Sequence, residues 1–344
     1  MQNLDWDGAS PTRVGCRVSV CLEHAIEKLK SLHDGDRGLI EVVSCGGRAI
    51  SALRALLFER EPSGLYQPRC RAVTALAALG AHDTLIEFLD ADREIADPVE
   101  RVGEDAVINA VALALADLRE PRIFDLLLSL AVKRPLPGVI RALGSFGRAE
   151  AVPCLVEALA EDESRPAAEA ALRQLGVLAC QALAIAATSC APLQEPLTES
   201  RLRQRRSALQ LLSEIGIRPV TWPILRNLMA GEDSKIAVLA CKICLANAPE
   251  IEKREAIFHL ISLLPSADFV LDQQIEQCLA SHFERAKELV AAALRAVEGV
   301  QDDHTRRVLQ RVMARAAHVG SLATCSMAPA ALNRTPVTIK ARGQ

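Results

Sequence analysis

The sequence predicts an all-α fold, a right-handed α-solenoid of antiparallel helix pairs, and three observations predict it. A unit recurs along the chain: a helix with apolar residues at helical spacing, an LG-like corner, and a second helix ending in an acidic turn. Apolar residues make up 50% of the 344 and aromatics only 3%, so Leu and Ala must fill the interior. Glycine follows the corner at Gly80, Gly147, Gly176 and Gly216, where a helix C-cap with positive φ would penalise a Cβ.

The clearest units are RCRAVTALAALGAHDTLIEFLDAD (69–92), GVIRALGSFGRAEAVPCLVEALAED (138–162) and RPAAEAALRQLGVLACQALAIAA (165–187). Weaker copies begin at Val107 and at Arg206, the latter followed by RPVTWPILRNLM. In the first, Val73, Leu76 and Leu79 share one helical stripe; in the second, Val152, Leu155, Val156 and Leu159 do the same. One pair cannot bury such stripes alone, whereas stacked pairs can. The corners Leu79, Leu118, Phe146, Leu175 and Ile215 lie 39, 28, 29 and 40 residues apart. The longer intervals imply insertions, placed at 90–103 (DADREIADPVERVG) and 188–200 (TSCAPLQEPLTES).

The flanks are helical without a clear repeat. An amphipathic helix is expected over 14–32, a helix pair over 38–45 and 47–58 joined at Gly46-Gly47, and three or four helices over 250–318. The expected organisation is a flexible N-terminus (1–13), one solenoid (14–318, clearest over 69–187) and a disordered tail (319–344).

These units resemble HEAT repeats, and the short ones resemble the HEAT-like repeats of phycobilin lyases, a bacterial-type form. The shared string is A-x-x-A-L-x-x-LG followed by a second Leu-bearing helix, over about 69–187 and more weakly over 200–250. The resemblance implies a polar ladder between repeats. Arg71 and Arg141 suit its position, while Asn109 and Ala167 stand there in other units.

Net charge is −3, from 40 basic and 43 acidic residues, without the basic excess of a duplex nucleic-acid binder. Eleven cysteines, most of them among Ala, Leu and Val, read as small buried hydrophobes of a reducing compartment, so a cytoplasmic location is expected. The first residues, MQNLDWDGASPTR, do not read as a signal peptide. The longest apolar stretch, Ala106 to Ala116, falls short of the roughly 20 residues that span a bilayer, so no membrane association is expected.

Cys241-x-x-Cys244 has the spacing of a metal or redox pair, but IAVLACKICLAN around it reads as a buried helix. The seven histidines form no HxxxH spacing. The His-Glu dipeptides of HEAT-like hydroxylases are missing as well. No nucleotide-binding glycine motif is present, and Gly46-Gly47-Arg48 reads as a helix-to-helix turn. Trp222 is expected in the core, and Trp6 as a flexible end or an anchor.

No catalytic, cofactor or metal residue is therefore assigned. The expected function is a non-catalytic scaffold or adaptor that binds a protein partner. The candidate partner-binding residues are Arg71, Arg141, Arg201, Arg203 and Arg206, with Arg307 and Arg311 at helical spacing near the end. The run from Arg201 to Arg206 is expected on a second helix facing the groove. Two alternatives follow from the resemblance: a HEAT-like DNA glycosylase or nucleic-acid-binding protein, and a bilin lyase-like cofactor chaperone.

Overall fold

The computed structural model describes residues 12–59, 64–91, 95–189, 198–231, 233–298 and 302–325. The expected flexible start lies outside these residues up to residue 11, as do the tail beyond 325 and most of the insertion at 188–200. Every described element is helical. The contacts group into two compact units, Met1–Ile217 and Arg218–Gln344, and each is described by itself.

The first unit holds α1 (Thr12–Lys30), α2 (Gly35–Ser44), α3 (Ile50–Phe58), α4 (Gln67–Ala78), α5 (His82–Asp90), α6 (Pro98–Ala116), α7 (Pro121–Lys133), α8 (Pro137–Phe146), α9 (Val152–Glu157), α10 (Arg165–Leu175), α11 (Cys180–Thr188) and α12 (Glu199–Ile215). Two layers form. First helices α2, α4, α6, α8, α10 and α12 stack in succession, and second helices α3, α5, α7, α9 and α11 stack behind them. Proline stands in the first turn of α4, α6, α7, α8, α9 and α10, where its missing N–H costs nothing and its fixed φ suits the helix.

The core follows the corner register. Three residues before each corner stand Leu76, Leu115, Leu143, Leu172 and Leu212, and each is fully buried. Seven before stand Ala72, Val111, Val139, Ala168 and Ala208, also fully buried. Each buried leucine contributes roughly 1.5–3 kcal/mol. One residue after the corner, φ is positive at Gly80, Gly147, Gly176 and Gly216, and also at Arg119 (φ 56°). Arg119 holds this left-handed conformation while its guanidinium donates to Ser145 O and lies 6.0 Å from the Phe146 ring.

The long interval between Leu79 and Leu118 has a different origin from the one expected. The segment 98–103 is not loop. Asp97 Oδ1 accepts from Val99 N (2.8 Å) and Glu100 N (3.0 Å), Pro98 opens the first turn, and α6 runs for 19 residues. The extra length is added helix. The stretch Arg165–Thr188 is apolar and long enough to resemble a membrane span. The chain turns at Gly176 (φ 58°), so it forms two short helices, α10 and α11.

The second unit holds α13 (Trp222–Leu225), α14 (Ser234–Asn247), α15 (Glu250–Leu263), α16 (Phe269–Ser281), α17 (Phe283–Glu298) and α18 (Asp303–Cys325). Here α14, α16 and α18 stack in one layer, while α15 packs on α17. Helix α18 extends to Cys325, past the expected end of the helical region at 318. Trp222 is buried, and its indole N–H donates to Glu252.

Cys241 and Cys244 are both fully buried in α14. Burial pushes both thiols up, Cys244 to about 12, with Glu252 and Glu255 adding to the shift. An unfolded thiol ionises near its ordinary value of 9.0, well before the folded one does. Their stabilising contribution is therefore complete below pH 9.0 and falls as pH rises from there toward 12. Cys241→Ala/Cys244→Ala should flatten the alkaline loss of stability in urea melts between about pH 8 and 10.5. A slope equal to wild type would show that these thiols ionise as readily in the fold as in the unfolded chain.

Candidate protein-binding face

The seven candidate arginines meet different fates. Arg71, in α4, serves structure: its Nη1 donates to Leu29 O (3.2 Å) and Ser31 O (2.8 Å) at the end of α1. Arg141 is exposed on the first helix α8, and among the described residues no hydrogen bond or ion pair holds it. It lies five residues before its corner whereas Arg71 lies eight before, so the two do not share a ladder position.

A ladder exists, but mixed side chains build it, mostly onto backbone. Arg69 Nε donates to Leu57 O (2.9 Å), and Asn109 Oδ1 accepts from Gly138 N (2.6 Å). Ser164 donates to Pro135 O, and Gln204 Nε2 donates to Val156 O (2.8 Å). These bonds satisfy helix-end carbonyls and amides that stacking would otherwise bury unpaired. Asn109, which looked like a departure from the ladder, is one of its rungs. Arg69 and Glu104 form a buried ion pair at 2.7 Å between α4 and α6, with the Arg69 guanidinium 5.6 Å from the Phe88 ring. Sequence reading missed this pair. Both residues stand in polar-looking helical stretches, and nothing local announces that they meet.

The run at 201–206 sits in α12, which stacks on α10. It is therefore a first helix, not the second helix expected. Its N-terminal half nevertheless reaches the second-helix layer. Arg201 Nη1 bonds Glu157 at 3.0 Å in α9, and Arg203 Nη1 bonds Asp162 at 3.2 Å in the turn beyond. Arg206 pairs with Glu199 in its own helix at 3.6 Å. In the second unit, Arg311 and Arg315 share Glu276 at 2.9 and 3.1 Å, and Arg307 donates to Asp303 O within α18.

The exposed edge of the second-helix layer is a row of held charges. Arg54 Nε in α3 bonds Glu87 of α5 at 3.1 Å and stacks on Phe58 at 4.8 Å. Arg148 bonds Glu150 at 2.8 Å, lies 4.0 Å from the Phe124 ring of α7 and feels the charge of exposed Asp125. The Glu157–Arg201 and Asp162–Arg203 pairs continue the row. The pairs hold Glu150 below the usual carboxylate range and raise Arg54 and Arg148, hydrogen bonding being the largest cause in each case. These pairs line the layer across α3, α5, α7 and α9, with their charged groups facing solvent. Such an arrangement can recognise charged side chains of a second protein by exchanging partners.

No family model matches the chain, and no curated protein matches it in sequence. Among solved structures it is similar to a Kap121p mutant, at a TM-score of 0.55 and 14% identity, over 94% of this chain and 40% of that one. It is also similar to Kap121p bound to Pho4p, at a TM-score of 0.51 and 14% identity, over 91% of this chain and 38% of that one. The chain thus spans 40% or less of the Kap121p chains it matches. The CpcE–CpcF complex of phycocyanin lyase from Nostoc sp. matches at 21% identity over 77% of this chain and 99% of that chain. Its TM-score of 0.31 is too low to establish a shared arrangement.

Proposed function

We propose that this HEAT/armadillo-like helical-repeat solenoid is a non-catalytic scaffold whose second-helix face binds a protein partner. The observation that supports it best is the row of paired charges along the second-helix layer, from Arg54 and Glu87 through Arg148 and Glu150, beside exposed Asp125, to Glu157 with Arg201 of α12. Side chains that are already paired lose less rotamer freedom when a partner docks than unpaired ones do. The solved structure of Kap121p bound to Pho4p shows that a solenoid of this fold can hold a protein.

The arrangement weighs against duplex nucleic acid. Arg201, Arg203, Arg311 and Arg315 each face a carboxylate, so the arginine clusters offer phosphates little uncompensated charge. Co-purification of the tagged chain from its own cell should yield a stoichiometric protein. Asp125→Lys/Arg201→Glu should lose that protein, while Arg141→Glu, on the first-helix side, should keep it. Loss with Arg141→Glu alone would move the binding face to the first helices, and no stoichiometric protein at all would sink the scaffold reading.

A further inference from the structure

The second unit carries a surface of different character. Helix α15 buries Ala256, Ile257 and Leu260 on one side yet leaves Ile251 74% and Phe258 62% exposed on the other. With half-buried Leu289 of α17 they line an open groove of about 390 Å³, edged by Arg254, Glu255 and His259. A helix apolar on both sides is expected where both sides are covered. The rim identifies the cover. Arg254 on α15 and Glu288 on α17 stand 4.0 Å apart, 70% and 87% exposed, and so hold each other weakly. Arg226 and Glu255 form a second loose pair at 4.0 Å.

A partner of one charge sign would meet a like charge on this rim. A copy of the same face turned by a two-fold rotation does not, because Arg254 of each copy can meet Glu288 of the other. We propose that this face is an isologous self-association surface, with Ile251, Phe258 and Leu289 at its centre and Arg254 and Glu288 exchanging partners across it. The scaffold would then be bivalent, carrying one second-helix face in each copy.

Sedimentation velocity on the full chain tests this from low micromolar to about 100 µM, a span that brackets ordinary dimer affinities. Wild type should shift from monomer to dimer. Phe258→Asp, at an exposed position, should keep the circular dichroism melt and weaken the dimer on the order of 100-fold or more, because the change counts twice in a symmetric contact. Arg254→Glu and Glu288→Arg should each weaken self-association. An equal mixture of these two variants should restore it, since every rim contact in the mixed dimer is again between opposite charges. A wild-type chain monomeric throughout, a dimer indifferent to Phe258→Asp, or a mixture no tighter than its components would overturn the proposal.

Discussion

Replacing Glu104 by Ala is expected to cost about 3–5 kcal/mol, because it leaves the buried Arg69 guanidinium without its counter-charge. Both side chains are almost wholly inaccessible, and the pair spans α4 and α6 at 2.7 Å. Arg69 cannot swing into water to recover, since its Nε is held on Leu57 O and its plane lies near Phe88. At about 2–4 °C per kcal/mol for a unit of this size, the melting temperature should fall by roughly 6–20 °C. Arg69→Met/Glu104→Leu should recover most of the loss, since an apolar pair of similar volume needs no desolvation of charge. Urea unfolding followed by circular dichroism measures both. A Glu104→Ala loss below about 1 kcal/mol would show that water reaches the pair.

Gly138→Ala should cost about 3 kcal/mol, because two helix backbones already approach closely there. A Cβ on Gly138 would lie 2.6 Å from Asn109 Oδ1, 2.7 Å from its Cβ and 2.8 Å from its Cα. The last two are fixed to the backbone of α6, so no rotamer change relieves them and α8 must move away. The Gly138 N–H to Asn109 bond would go with it. Adding Asn109→Ala should recover little, because the clash with the α6 backbone remains. A Gly138→Ala variant as stable as wild type would mean that α6 and α8 do not approach this closely.

Much of the first unit was legible because one register repeats. The corners fixed which leucines are buried, and Leu76, Leu115, Leu143, Leu172 and Leu212 all obey. The same register sets positive φ one residue later, even at Arg119 where glycine is missing. The start of α6 was legible too, in Asp97-Pro98, but the charged segment around it resembled a loop. The polar contacts were not legible. They depend on how far one first helix slides along the next, and apolar spacing does not encode that slide. Arg71 and Arg141 looked alike in sequence, yet one holds α1 and the other is exposed with no partner among the described residues, while Asn109 is the rung. The arginine run of α12 was visible, but the carboxylates that Arg201 and Arg203 meet come from α9 and the turn after it. The exposed apolar face of α15 was hidden by its own buried side, since both read as core.

Photo-crosslinking in the source cell tests the central claim most directly, with benzoylphenylalanine placed at Asp125 on the second-helix layer or at Arg141 on the first. Both positions are exposed, so neither substitution should disturb the fold. A discrete crosslinked protein from position 125, and none from position 141, is the result expected of a scaffold that binds through its second helices. A product from position 141 with none from position 125 would contradict it.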